Sequence, residues 1–279
     1  PRATLCQSTG IQLSAGLRVI VVVDQGEVGV ALARRLRARK VKVLAIPAEW
    51  SEQTRGRVQE WAQDGKVDGV FFLPGLDLHS DLGAMEVEQW QAEVQRRAQT
   101  LFDLLQTLPG EPFLIAATRL DGRHGFSGEP LAAPLGGLVS GLVKAVAWER
   151  ANALVKVVDF APQAEAAEIA AQLIEELLYD PGVVEVGRDK GQRYGITLVE
   201  TPLDSMPSTD WGNKPVFLIT GGSGGITQAV IRDLARQTRG VFYLIGRSSL
   251  PDPDDPDLVL LRQDRSALRQ TLLKRLAAE

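Results

Sequence analysis

A glycine-rich turn between an apolar run and a helical pattern constrains the fold of this chain more than any other feature. Residues 215–226 read Pro-Val-Phe-Leu-Ile-Thr-Gly-Gly-Ser-Gly-Gly-Ile. Glycines allow positive φ angles and let a backbone approach a phosphate group at a helix N-terminus. The segment therefore predicts the strand–turn–helix start of a dinucleotide-binding fold. The residues expected to cradle a pyrophosphate are Gly221, Gly222, Ser223, Gly224, Gly225 and Ile226.

The spacing of these glycines fits the pattern T-G-x-x-x-G through Gly221 and Gly225. A G-x-G-x-x-G pattern would need a third glycine at the position of Thr227. That third glycine normally permits close packing of the helix on the strand. A glycine pattern alone is a weak signal, so the assignment depends on the flanking strand, the helix and the strand that follows.

A second apolar run, Val241–Ile245, ends in Gly246-Arg247-Ser248. A guanidinium at the tip of the second strand can bind the 2′-phosphate of NADP bidentately, whereas an Asp or Glu there would favour NAD. Neither acid ends this strand. The sequence therefore predicts NADPH as the cofactor, with Arg247 and Ser248 contacting its 2′-phosphate.

Upstream of the turn, apolar runs of strand length alternate with helical patterns, which is typical of repeated βαβ units and a parallel sheet. The expected strands are 17–23, 41–46, 67–73, 113–117, 155–160, 183–186 and 194–199. The expected helices are 30–36, 51–62, 85–108, 135–150 and 164–179. We therefore expect an α/β protein with two Rossmann-like, doubly wound parallel-sheet units in series, the second incomplete in this chain.

The expected organisation is a linker over 1–12, a structural unit over 13–205, a linker over 206–214 and the start of a cofactor-binding unit over 215–279. From residue 249 a Pro- and Asp-rich insertion interrupts the second unit, because proline suits neither a helix interior nor a central strand. A single helix is predicted over 258–278. Two parallel strands are too few for an independent sheet, so we expect residues 215–279 to be held by further polypeptide.

The first unit has a degenerate turn after its first strand, Asp24-Gln25-Gly26-Glu27-Val28-Gly29. The carboxylates of Asp24 and Glu27 would repel a pyrophosphate, and the turn is poor in glycine. We therefore expect residues 13–205 to bind no nucleotide and to support the second unit.

Composition narrows the class of partners. The formal net charge is −4 and no basic stripe is present, so nucleic acid is not an expected partner. A single cysteine, Cys6, excludes an internal disulfide and favours a reducing compartment, here the cytoplasm. No apolar stretch reaches the roughly 20 residues of a bilayer span, so no membrane is expected. The chain starts without a Met or a signal peptide, which predicts a piece of a longer polypeptide.

The remaining chemistry-bearing residues form no catalytic motif. None of Tyr179, Tyr194 and Tyr243 is followed by a Lys four residues later, and Tyr243 is expected in a strand core. The two histidines, His79 and His124, are isolated in loops, so no zinc site is predicted. We therefore expect no catalytic residue and no metal ligand in this chain.

With this order of units, the chain resembles the ketoreductase domains of type I polyketide synthases and polyunsaturated-fatty-acid synthases. In that family a degenerate structural subdomain precedes a catalytic subdomain of the short-chain-dehydrogenase type. Residues 220–226 look like the family's cofactor loop, and 246–248 like its NADPH-selecting motif. In the first half, residues 118–122, 136–144 and 155–159 are similar to the iterative and fatty-acid-synthase-like branch. The resemblance covers residues 13–279.

The resemblance implies NADPH-dependent reduction of the β-keto group of an acyl chain bound to an acyl carrier protein, beside neighbouring domains of a megasynthase. In the family a Tyr donates the proton and a Ser holds the carbonyl, and both follow the second strand at a distance that places them outside this chain. The chain alone is therefore expected to show no turnover of β-ketoacyl thioesters. The alternative is a non-catalytic Rossmann-like scaffold of a megasynthase, used for packing or docking.

Overall fold

The computed structural model describes residues 7–79, 81–201, 210–222, 224–247 and 252–277. Cys6 and the predicted site residues Ser223 and Ser248 lie outside these ranges. The chain divides into two compact units with a boundary between Val199 and Glu200. Within the described ranges, no helix is long and apolar enough to cross a bilayer.

Strands and helices alternate through the first unit. The strands are β1 (Arg18–Val22), β2 (Lys42–Ile46), β3 (Gly69–Gly75), β4 (Phe113–Thr118), β5 (Val155–Phe160), β6 (Glu185–Asp189) and β7 (Gln192–Gly195). The helices are α1 (Val28–Ala38), α2 (Glu52–Gln63), α3 (Val87–Val94), α4 (Thr100–Thr107), α5 (Gly136–Glu149) and α6 (Ala166–Leu178). A π-helical turn, Gln95–Gln99, joins α3 to α4, so most of the helix predicted over 85–108 is present as one continuous helix.

The strands of the first unit form one sheet in the order β2-β1-β3-β4-β5-β6-β7. The predicted parallel pairing is confirmed from β2 through to β6. The last strand differs from the prediction, because β7 runs antiparallel to β6 and spans Gln192–Gly195 instead of 194–199. Lys190 and Gly191 alone separate the two strands. So short a turn permits only antiparallel return, since a parallel crossover needs a dozen or more residues.

Both faces of this sheet are covered, as a parallel sheet requires. Successive side chains of a strand point to opposite faces. Phe71 accordingly packs in the apolar cluster that contains residues of α1 and α6, and its neighbour Phe72 packs in the cluster that contains residues of α2, α4 and α5. Both phenylalanines are fully buried. The continuous apolar runs of the sequence therefore reflect burial on two sides.

Residues 7–11, which belong to the predicted N-terminal linker, lie against the end of α6. The Thr9 amide donates to the Leu178 carbonyl at 2.9 Å, and the Thr9 hydroxyl donates to the Leu177 carbonyl at 2.7 Å. Ile11 and Leu13 pack on the core beside them. These contacts attach the segment to the first unit.

A buried ion network joins α6 to three strands. The Lys156 ammonium on β5 donates to the Glu176 carboxylate at 3.0 Å and to the Tyr179 carbonyl at 2.6 Å. Arg193 donates to both Glu176 oxygens at 2.8 and 2.9 Å, and Arg188 donates to one of them at 2.6 Å. Burial alone would raise the pKa of Glu176, but Arg193, Lys156 and Arg188 lower it. One carboxylate thus holds the β6–β7 hairpin against α6.

Replacing Glu176 with Gln should lower the free energy of unfolding by about 3–5 kcal/mol, because the buried Lys156 loses its counterion and two arginines each lose one of two ion pairs. Urea denaturation followed by circular dichroism measures the change. The matched control is Glu175→Gln, whose side chain is 48% exposed and contacts Arg188 at 3.3 Å. That variant should lose less than about 1 kcal/mol. Equal losses in the two variants would contradict the central role of Glu176.

Two aspartates organise the loop that follows β4. Asp159, fully buried at the end of β5, accepts hydrogen bonds from the Thr118 hydroxyl at 2.7 Å and from the Leu120 amide at 2.7 Å. Asp121 accepts from the amides of residues 123, 125 and 127 at 2.8, 2.8 and 2.9 Å. Burial alone would raise the pKa of Asp121, but hydrogen bonds from Ser127 and neighbouring amides lower it to about 2. The loop is therefore wrapped around internal anions.

Asp121→Asn should lower the free energy of unfolding at pH 7 by about 2 kcal/mol, the equivalent of a pKa lowered by nearly two units. Because the folded pKa lies below the reference value of 3.8, this stabilisation is present above that value and is lost as the pH falls through about 2. Urea midpoints between pH 7 and pH 2 should therefore converge for wild type and variant. The exposed Asp64→Asn control should match wild type at pH 7, and a gap that persists at pH 2 would contradict the prediction.

The second unit contains β8 (Val216–Thr220), α7 (Gly225–Thr238), β9 (Val241–Ile245), α8 (Pro256–Gln263) and α9 (Arg265–Leu276). Strands β8 and β9 pair in parallel, as predicted. Val216, Leu218 and Tyr243 are 68%, 71% and 59% exposed, so the prediction of Tyr243 in a strand core is wrong for the described chain. The expectation that further polypeptide holds this unit stays a prediction.

The prediction of a single helix over 258–278 is also wrong, because the helix is interrupted at Asp264. This residue has extended dihedral angles (φ −150°, ψ 101°), and its carboxylate accepts hydrogen bonds from the amides of Ser266 and Ala267. Asp is a strong N-cap because its side chain satisfies amides that a helix start leaves unpaired. Asp264 therefore ends α8 and begins α9.

Candidate functional site

The turn after β8 has the backbone geometry that its glycines predict. Gly221 has a φ of +68°, and its amide donates to the Ile245 carbonyl of β9 at 2.8 Å. A Cβ at Gly222 would lie 3.0 Å from the Leu244 side chain. Positive φ thus favours glycine at Gly221, and tight packing favours it at Gly222. The turn is held directly against the end of the neighbouring strand.

Helix α7 starts from this turn without a side-chain cap. Its N-cap residue is Gly224, whose amide donates to the Gly221 carbonyl at 3.0 Å. Among the described residues, the amides of Gly225, Ile226 and Thr227 have no hydrogen-bond acceptor. Helix-start amides are good donors to an anion, and the helix dipole adds to the attraction. The start of α7 is therefore suited to a phosphate group.

The first unit shows within the same chain how an anion sits on such a turn. Strands β1 and β8 start 198 residues apart, and at the same spacing the amides of Val23 and Gly221 each donate to the last residue of the neighbouring strand. At this spacing α7 starts one residue earlier than α1. The Asp24 carboxylate accepts hydrogen bonds from the amides of Val28 at 3.3 Å and Gly29 at 2.7 Å. The matching amides of the second unit are those of Ile226 and Thr227. Among the described residues of the second unit, no side chain accepts from these amides, so the position that a carboxylate fills in the first unit has no such occupant there.

A second carboxylate fills the remaining crevice of the first unit. Open α/β sheets bind ligands where the strand order reverses, here between the carboxyl ends of β1 and β3. At that point Asp77 accepts a hydrogen bond from the Gln25 amide at 2.6 Å and pairs with Arg96. The fully buried Arg97 donates to the Asp77 carbonyl at 2.8 Å. Burial raises the pKa of Asp77, against the hydrogen bonds from Gln25 and Arg96.

Arg247 lies at the same edge of the second unit as the glycine turn. Thr220 and Ile245 are paired, so the turn after β8 and the Gly246-Arg247 segment after β9 leave the sheet side by side. Arg247 is exposed and has no partner among the described residues. The matching position of the first unit is Ala48, which is buried and whose carbonyl accepts the Thr100 hydroxyl at 3.1 Å. Among the described residues, Arg247 is therefore an unpaired cation beside the phosphate turn, whereas Arg96 of the first unit is already paired with Asp77.

The histidines have structural partners. His79 Nε2 accepts a hydrogen bond from the Leu135 amide at 3.2 Å, and His124 Nε2 lies 3.0 Å from the Val186 carbonyl. In the described ranges, no group of three or more His, Cys, Asp or Glu side chains could hold a metal ion. His124 also lines a cavity of about 460 Å³ with Arg123 and Tyr194. Arg123 is already paired with Asp189 at 2.8 Å, so this cavity presents no free cation.

Sequence reasoning found the glycine turn and Arg247 but missed the residues that close the first unit. Asp24 was interpreted only as a source of repulsion, whereas the structure shows that it caps α1. Asp77 and Arg97 were not singled out. No sequence signal marked Arg97, because adjacent helical residues are about 100° apart and Arg96 and Arg97 could both have faced solvent.

Asp24→Ala should lower the free energy of unfolding by about 1–2 kcal/mol, because two buried amides lose their acceptor. Glu27→Ala is the matched control, since Glu27 is exposed and its side chain makes no capping hydrogen bond. It should stay within about 0.5 kcal/mol of wild type in the same urea titration.

Calorimetric titration of residues 13–205 with NADPH should show no binding, because internal carboxylates already occupy the phosphate position and the crevice. Saturable binding of NADPH to this segment would show that the first unit is not closed.

A scan against protein-family models finds no match. In sequence, the chain is 31% identical over 150 residues to one subunit of the polyunsaturated fatty acid synthase of Thraustochytrium sp., a match that covers 50% of this chain and 5% of the relative. It is 28% identical over 181 residues to the polyketide synthase PksN of Bacillus subtilis, covering 63% of this chain and 3% of that protein. The chain therefore corresponds to a small part of each relative.

Solved structures agree in fold. A keto acid-selecting nonribosomal peptide synthetase module with adenylation and ketoreductase domains matches with a TM-score of 0.62 at 15% identity, over 95% of this chain and 24% of that chain. A-type ketoreductases from a modular polyketide synthase match with a TM-score of 0.52 at 20% identity, over 96% of this chain and 55% of that chain. The chain thus has the α/β fold of synthase ketoreductase domains and is related in sequence to two megasynthases, which confirms the resemblance inferred from its motifs.

Proposed function

We propose that this chain is part of an NADPH-dependent β-ketoacyl reductase of a megasynthase and that its second unit binds the cofactor. The observation that carries the proposal is the uncapped start of α7, whose amides match those that hold the Asp24 carboxylate in the first unit. The names of the sequence relatives, a fatty acid synthase and a polyketide synthase, support the class of reaction. The substrate would be a β-ketoacyl chain on an acyl carrier protein, delivered among neighbouring synthase domains.

The chain's own residues would bind and orient the cofactor. When bound, NADPH supplies the hydride that reduces the keto group. The free amides at the start of α7, among them those of Gly225 and Ile226, donate to the pyrophosphate, and Gly221 and Gly222 let the backbone approach it. Arg247 contacts the 2′-phosphate through a bidentate, charge-assisted pair. In this proposal Ser223 also contacts the pyrophosphate, and Ser248 also contacts the 2′-phosphate.

A scaffold role is the second candidate, and a specific observation favours it for the first unit. Asp24, Asp77 and Arg96 occupy the positions where a nucleotide would lie in that unit. Residues 13–205 would then support the catalytic half without binding cofactor. The scaffold role extends to the whole chain only if the second unit also fails to bind NADPH.

Arg247→Ala should weaken NADPH binding by about 1.5–3 kcal/mol, the range for hydrogen bonds to charged groups. NADH, which lacks the 2′-phosphate, should bind almost unchanged. Fluorescence titration of the protein with each cofactor measures both affinities. The matched control is Arg236→Ala, which removes an exposed positive charge from α7 away from the turn. Equal losses for NADPH and NADH would overturn the assignment of Arg247.

A further inference from the structure

Thr227 stands at the position of the third glycine in the G-x-G-x-x-G pattern. The turn of the first unit shows which residues occupy the matching positions there. The matching residue there is Gly29, where a Cβ would lie 2.8 Å from the Cβ of Val23. The residue that matches Val23 in the second unit is Gly221. In sequence, the glycine and the larger residue have exchanged positions between the two turns. In the second unit the two positions are not in contact, because a Cβ at Gly221 would meet no atom within 4 Å.

The Thr227 hydroxyl is unusual among threonines in the helices of the described chain. The other helical threonines, all with a hydrogen-bonded hydroxyl, are Thr54, Thr100, Thr107, Thr238 and Thr271. The Thr227 hydroxyl has no partner among the described residues, although its side chain is half-buried. It lies beside the turn, 3.9 Å from the point where a Cβ on Gly224 would stand. A free donor thus faces the loop of the candidate site.

The Asp24 carboxylate locates the anion relative to this residue. In the first unit it lies 2.7 Å from the Gly29 amide and 3.3 Å from the Val28 amide. An anion at the matching place of the second unit would contact the Thr227 amide most closely. Side chains of a helix lean toward its N-terminus, so the hydroxyl of the same residue can reach that anion.

We propose that Thr227 is a pyrophosphate-binding residue that donates both its amide and its hydroxyl, so that the residue replacing the third glycine adds a ligand to the site. The proposal rests on the proposed binding of NADPH by the second unit. The competing explanation is that the half-buried Thr227 side chain only packs beside the turn. The two explanations differ in whether the hydroxyl or the shape of the side chain matters.

The experiment uses Thr227→Val, which keeps the shape and removes the hydroxyl, and Thr227→Ser, which keeps the hydroxyl. Each variant is titrated with NADPH and with adenosine 2′-monophosphate, which carries the 2′-phosphate but no pyrophosphate. Thr227→Val should bind NADPH about tenfold more weakly and adenosine 2′-monophosphate unchanged. Thr227→Ser should stay within about twofold of wild type for both. The control is Thr238→Val, which removes a hydroxyl bonded to the Leu234 carbonyl at the far end of α7.

The outcomes separate the two proposals. If wild type binds NADPH and Thr227→Val binds it equally well, the role of the hydroxyl is overturned and the proposed function stands. If Thr227→Val loses both ligands equally, or if Thr227→Ser loses as much NADPH affinity as Thr227→Val, Thr227 acts through packing and the proposal is overturned. If wild type binds adenosine 2′-monophosphate but not NADPH, or neither, the proposed cofactor site fails and this inference fails with it.

Discussion

The amides at the start of a helix need acceptors, and how the two units meet that need decides what each can do. In the first unit the chain supplies its own anion, because the Asp24 carboxylate accepts from Val28 and Gly29 at the start of α1. In the second unit α7 starts at a glycine and the equivalent amides have no acceptor among the described residues. One unit is complete in itself, whereas the other is suited to an external anion.

The contrast extends over the carboxyl edge of the first sheet. Asp77 bridges the ends of β1 and β3, and Asp159 and Asp121 hold the loop after β4. Each carboxylate accepts backbone amides that would otherwise be free to bind a ligand. The edge that binds nucleotides in open α/β sheets is here stabilised by internal anions. These internal contacts support the scaffold role proposed for the first unit.

The buried cations of the first unit also depend on internal partners. Lys156 lies in an apolar strand and would be unstable there without Glu176, which also pairs with Arg188 and Arg193. Glu175 and Asp180 supply the further negative charge that the two arginines need. The arginines are directly opposite each other on β6 and β7, so their repulsion is offset by the same carboxylate. A charged residue inside a buried run, such as Lys156 in Val155–Phe160, was a sign of such a network, but the sequence could not name its partners.

Local chemistry determined what the sequence alone could predict. The βαβ alternation, the glycine turn over 221–226 and Arg247 beside it follow from periodicity, turn residues and the position of a strand end, all properties of neighbouring residues. Tertiary structure decided the rest. It placed Asp24 on amides of α1, Asp77 in the crevice, Glu176 among three cations and β7 antiparallel to β6. Except for Asp24 on α1 and the β7 return, these contacts join elements distant in the chain, and none shows a period. A sequence pattern therefore locates the phosphate turns, but only packing shows that one is already filled.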